Sequence, residues 1–102
     1  MALIRKFLSK QTVPDRAWAA TLIGMNQKRI GIGYLRMLAK DPHPRVRAAS
    51  MWALGAIGSR IGIPILLTGY RDPESEVHNA AVRSLEVIAK KHLLKIPNKK
   101  AH

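Results

Sequence analysis

Apolar residues recur along most of this chain at intervals of three and four, and no run alternates apolar and polar as a half-buried strand would. In "DPHPRVRAASMWALGAIG", Asp41 to Gly58, the residues Val46, Ala49, Ala53, Leu54 and Ile57 trace one stripe of a helix. In "DPESEVHNAAVRSLEVIA", Asp72 to Ala89, Val77, Ala80, Ala81, Leu85 and Ile88 do the same. The two segments begin 31 residues apart (72 − 41 = 31), and each opens with Asp-Pro. Aspartate can cap a following helix, and proline disfavours a helix continuing from before it. Between them, "GSRIGIPILLTGY" predicts a shorter second helix over about 63–70, with Gly58 and Ser59 in the turn and Pro64 in the first helical turn.

Upstream, "VPDRAWAATLIGMNQKRIGIGYLRMLAK" is a weaker copy, offset by about one residue from strict register. It aligns Ala17 with Ala49, Leu22 with Leu54 and Met25 with Ile57, each pair 32 apart (49 − 17 = 32). Its second helix is predicted over about 29–40, and the glycines of "RIGIGYL" and "RIGIPIL" fall in matching places. Leu3, Ile4, Phe7 and Leu8 predict a short amphipathic capping helix over 1–12. Repeats then occupy about 13–40, 41–71 and 72–92, and a basic tail over 93–102 is expected to be mobile from Pro97 onward. A single helical hairpin cannot bury its apolar stripe, whereas stacked copies share a continuous core. The expected fold is therefore all-α, a stack of about five or six helices. Its apolar ends imply self-association or docking against another subunit.

The run Asp41, Pro42, Val46, Arg47, Ala48, Ala49, followed by Ala53-Leu54-Gly55 and Ile57-Gly58, resembles HEAT repeats, in particular the short HEAT-like repeats of the phycobilin-lyase type. Ile63, Pro64 and Leu66 continue the pattern into the following helix, and the resemblance covers roughly 14–91. In the last copy His78 stands at the usual Arg and Glu86 at the usual Gly, as is common in a terminal, capping repeat. The resemblance is specific for fold and poor for function, because this fold hosts scaffolds, lyases, hydroxylases and DNA-repair enzymes. It implies that Arg47 pairs with an Asp-Pro aspartate and is structural. It also implies that the second helices line one, usually concave, face.

Composition changes the picture mainly through charge. Eighteen Lys and Arg oppose six Asp and Glu, a formal net charge of +12. Asp15, Asp41, Asp72, Glu74 and Glu76 all lie at or near predicted helix starts, leaving only Glu86 for a helix body. Most basic residues therefore lack an acidic partner within the chain, and such an excess looks outward for its counter-charge. On or beside the second helices lie Lys28, Arg29, Arg36 and Lys40. Arg60 and Arg71 bracket the next one, and Lys90, Lys91 and Lys95 continue at the C-terminal end. Arg29 and Arg36, seven positions apart on one predicted helix, are expected to project from one side. A merely solvated face would mix both signs, and here acids are missing.

Candidate chemistry is sparse. There is no cysteine, which excludes disulfides and thiolate sites and is compatible with an intracellular, cytoplasmic location. No apolar run reaches the roughly 18 residues of a membrane span, and "MALIRKFLSK" lacks the form of a secretory signal. His43, His78, His92 and His102 are scattered and form no metal-ligand set, and the His-Glu pairs of HEAT-type di-iron hydroxylases are absent. His43 reads as a loop residue between two prolines, and His78 as a helix-surface residue. Ser50 and Ser84 sit in small-residue stripes, where a hydroxyl can bond a carbonyl four residues back. No nucleophile elbow or phosphate loop is present, and packing or a helix start accounts for the glycines of "GIGYL". For Trp18 and Trp52, partial burial against a neighbouring helix is favoured over an exposed binding aromatic, and the aromatics are too few for base stacking.

These observations read as a non-enzymatic binding or scaffolding module, without cofactor, that docks through its basic face on an acidic partner protein in a larger assembly. The alternative is sequence-independent binding of DNA or RNA through the same residues, since phosphate contact needs only placed Lys and Arg. Attachment to an anionic membrane through "MALIRKFLSK" ranks below packing of that segment on the first repeat.

Overall fold

A computed structural model of the chain describes residues 12–93. The capping segment expected at 1–12 (except Thr12) and the tail at 93–102 with Lys95 and Pro97 (except Leu93) lie outside the described residues. Among the described residues five helices follow one another: α1 (Val13–Asn26), α2 (Ile32–Leu38), α3 (Pro44–Ile57), α4 (Ile63–Tyr70) and α5 (Ser75–Leu93). Single 3-10 turns, Arg29–Gly31 and Arg60–Gly62, lead into α2 and α4. No strand occurs among the described residues. The helix expected over 29–40 is thus shorter, and Arg29 belongs to the turn that precedes it.

Local chemistry starts and stops each helix. Thr12 Oγ1 accepts the Asp15 N–H at 3.3 Å to cap α1, with Pro14 in the first turn. His43, not Asp41, caps α3: its Nδ1 accepts the Arg45 N–H at 3.1 Å, and Pro44 is the first helical residue. Asp41 and Asp72 instead brace the loops, each accepting the N–H two residues on, from His43 at 2.9 Å and from Glu74 at 3.0 Å. At their C-terminal ends α1 and α3 turn out through left-handed residues, Gln27 at φ 55° and Gly58 at φ 71°.

The helices form two layers, with α1, α3 and α5 side by side and α2 and α4 packed across them. Leu35, Met51, Leu54, Leu66 and Ile88 are the largest buried aliphatic side chains, joined by Val46 and Val77. Glycine sets the distance between the long helices. A Cβ on Gly24 would lie 2.7 Å from Ala53 Cα, and one on Gly55 would lie 3.0 Å from Ser84 Cα. Gly24 to Gly55 and Ala53 to Ser84 are both steps of 31 residues (55 − 24 = 31; 84 − 53 = 31), so the two crossings are copies of each other.

That spacing corrects the offset expected for the first repeat. The Arg-Ile-Gly turns are 31 apart (60 − 29 = 31), as are Gln27 and Gly58 (58 − 27 = 31). The first copy is in strict register. Leu22 and Met25, aligned by sequence with buried Leu54 and Ile57, are instead 43% and 60% exposed. Ala20 and Gly24 are buried in their place, with Ile23 packed against the core. The physical reason is that α1 must present its smallest residues to α3, and the larger Leu22 and Met25 then rotate outward.

Two other expectations change. Ser50 bonds the Val46 carbonyl four residues back at 3.0 Å, but Ser84 reaches across to the Met51 carbonyl at 2.7 Å and ties α5 to α3. Trp52 rests against Gly24 yet keeps about half its surface exposed, and Trp18 is more exposed still. Partial burial therefore understates how open both indoles are.

Candidate functional site

The acidic side chains decide which cations remain without a counter-charge. Asp41 receives the Arg16 Nε at 2.6 Å and Nη2 at 3.0 Å. Asp72 receives the Arg47 Nε at 2.8 Å and Nη2 at 3.2 Å. Arg47 Nη1 also donates to the carbonyls of Asp41 at 2.9 Å and Pro42 at 3.0 Å. Each pair joins one repeat to the next across 25 residues (41 − 16 = 25; 72 − 47 = 25). Arg47 is thus paired with the aspartate of the following repeat, and Arg16, not singled out by sequence, repeats its role.

These contacts leave a mark on the carboxyls. Burial works to raise the Asp41 carboxyl, but hydrogen bonds from Arg16 and from the His43 backbone outweigh it and hold it below the usual aspartate value. Asp72 is held low by the Arg47 hydrogen bond, against an opposing effect of burial. Both stay charged, and both are used up internally.

The basic residues singled out by sequence fall into separate groups. Arg29, Arg60 and Lys91 line one open cleft of about 430 Å³ at the turn end of the stack. They come from three successive repeats at equal spacing (29 + 31 = 60; 60 + 31 = 91). Arg36 and Lys40 line a second cleft of about 180 Å³, with Pro64, Ile65 and Thr68 of the next repeat. Lys28, Arg71 and Lys90 are exposed and line neither cleft. Arg29 therefore sits in the turn before α2 rather than on the helix that carries Arg36, and the two line different clefts.

Local structure explains the first cleft. Each Arg-Ile-Gly turn puts its arginine at the outer edge, and the following isoleucine, Ile30 or Ile61, remains exposed. Ser59 Oγ accepts the Ile61 N–H at 3.2 Å, which fixes the turn and leaves the hydroxyl hydrogen to donate elsewhere. The α5 helix brings in Lys91 and His92 in its last turn, where cations meet the negative end of the helix dipole. His92 Nε2 donates to the Gly58 carbonyl at 3.2 Å, and Lys91 lies so close that a Cβ on Gly58 would come within 2.8 Å of its Nζ. No acidic side chain lines the cleft among the described residues, and Arg29, Arg60 and Lys91 enter no ion pair there.

Sequence reasoning missed Ser59, His92 and Ile61 as companions of these cations. The signal was present in the repeated Arg-Ile-Gly and in the 31-residue spacing, but the one-residue offset obscured it. Among the described residues, no group of three or more His, Cys, Asp or Glu side chains could hold a metal ion. No helix there is long and apolar enough to cross a membrane.

A comparison with curated proteins finds no match. A family model described as HEAT repeats matches residues 1–86. HEAT repeats generally serve contact between proteins or scaffolding. The match spans most of the chain, and the helical hairpins, the Asp–Arg staples and the repeated glycine crossings agree with it: this chain belongs to the HEAT-repeat family.

Proposed function

We propose that the protein is a non-enzymatic docking module that binds an acidic protein surface within a larger, intracellular assembly. The observation that carries this reading is the division of charges. The aspartates Asp41 and Asp72 are consumed by Arg16 and Arg47, while Arg29, Arg60 and Lys91, and separately Arg36 and Lys40, face solvent without an ion pair among the described residues. Unpaired cations gain most when a partner supplies the missing carboxylates or other anions. The short Asp-Pro, Val-Arg, Ala-Leu-Gly pattern supports placing the chain with the phycobilin-lyase type of repeat, a finer assignment within the same reading.

Exposed isoleucines beside the arginines favour a protein over a nucleic-acid partner, because a packed interface uses apolar contact that a phosphate backbone cannot return. The test is capture of partners from native extract by the intact protein, with and without nuclease, across a salt series. Replacing Arg29, Arg36 and Lys40 by Glu is expected to abolish capture while leaving the helical circular-dichroism signal unchanged. Capture that survives nuclease and weakens gently with salt supports protein docking. Loss on nuclease treatment, with a steep salt dependence, assigns the same residues to nucleic acid instead.

A further inference from the structure

The cleft at the turn end differs from the rest of the basic surface in drawing its cations from three repeats. Three cations from three repeats meet there rather than running along a face, and the same place holds a serine hydroxyl and two aliphatic side chains, Ile57 and Ile61. Two of the cations are arginines, whose planar forks match the oxygens of a phosphoryl group bidentately. A single carboxylate would leave most of this charge uncompensated. A phosphorylated side chain brings about −1.5 to −2 and three acceptor oxygens in one place.

We infer that the cleft formed by Arg29, Arg60 and Lys91 is a binding site for a phosphorylated serine or threonine on a partner protein. The inference rests on the docking function proposed above and names the chemistry the partner presents. The phosphoryl oxygens take the two guanidinium groups and the Lys91 ammonium, with the Ser59 hydroxyl as a further donor. The exposed Ile61 side chain accepts an apolar residue next to the modified one. Nucleic acid fits this place less well: no Phe, Tyr or Trp lines the cleft, and the His92 ring is held on the Gly58 carbonyl. The backbone under the cleft is already fixed, because Ser59 holds its turn and His92 is held on the Gly58 carbonyl, so binding orders only the cationic side chains.

The test uses the full chain and fluorescence anisotropy with four labelled probes: a peptide with one phosphoserine beside a leucine, its unmodified serine counterpart, a polyglutamate peptide, and a short single-stranded oligonucleotide. The phosphopeptide is expected to bind roughly tenfold or more tightly than the serine peptide, as charge-assisted hydrogen bonds predict. Arg60→Ala and Lys91→Ala, both at exposed positions, should each remove most of that preference, and inorganic phosphate should compete. Arg83→Ala, on the exposed side of α5 away from the cleft, should change nothing. Equal binding of the phosphorylated and unmodified peptides overturns the inference. So does a preference that both cleft variants retain, or tighter binding of the oligonucleotide. If the phospho-preference is absent while polyglutamate still binds and the Glu reversals abolish it, the cleft assignment fails and the docking function stands. If no acidic peptide binds, both fail.

Discussion

Arg47 of one repeat holds Asp72 of the next through two hydrogen bonds, at 2.8 and 3.2 Å, and with its third nitrogen grips the carbonyls of Asp41 and Pro42. One side chain thus joins two successive Asp-Pro loops. Arg47→Ala strands Asp72, whose side chain is only 11% exposed, and frees two carbonyls. The expected cost is about 2–4 kcal/mol in urea unfolding, since removing one partner leaves a poorly solvated charge. Arg47→Lys should recover little, because an ammonium cannot make the fork.

The paired aspartates also determine the response to acid. Both carboxyls have a folded pKa below that of the unfolded chain, so their contribution is complete above the unfolded value of about 3.9 and is lost as pH falls through the folded values. The melting temperature should be level from neutral pH to about pH 5 and drop below about pH 4. An Asp41→Asn, Asp72→Asn double variant should start lower and show a shallower acid decline in thermal melts.

Two glycines on the same kind of element separate packing from propensity. A side chain on Gly55 would run into Ser84 on α5, whereas nothing lies within 4 Å of the position a Cβ would take on Gly33. Gly55→Ala is expected to destabilise by about 1–3 kcal/mol through forced separation of α3 and α5. Gly33→Ala should stabilise by about 0.4–1 kcal/mol, because it restricts the unfolded chain and clashes with nothing. Opposite signs in paired denaturation curves would confirm the helix crossing.

The strict 31-residue register has its own test. Leu54 is fully buried, and Leu54→Ala should cost roughly 2–5 kcal/mol. Leu22 is 43% exposed, and Leu22→Ala should cost less than about 1 kcal/mol. Similar losses from the two substitutions would restore the 32-residue alignment.

Glu86 and His78 show why the last repeat departs from the pattern. Glu86 stands 31 residues after Gly55 (86 − 55 = 31), where a further first helix would need glycine to approach, and it is exposed. His78 occupies the position of Arg16 and Arg47, yet it bonds the Tyr70 carbonyl at 2.7 Å and tilts against the Tyr70 ring instead of reaching for an aspartate. The outer side of α5 is built without the two devices that join the repeats before it.

The amino-acid pattern by itself determined the helical class, the repeat and its second helix at 63–70, which the structure places at Ile63–Tyr70. It could do so because apolar spacing, turn glycines and prolines act locally, within a few residues of the backbone they shape. Three features were decided only in tertiary structure. Which side of α1 faces inward depends on how closely α3 can approach Gly24, and apolar spacing alone is equally satisfied by Leu22 and Met25. That Asp41 and Asp72 pair across repeats, and leave the capping of α3 to His43, depends on residues 25 positions away. The meeting of Arg29, Arg60 and Lys91 in one cleft depends on stacking itself, because the three sit on separate elements whose ends come together only when the long helices are packed side by side.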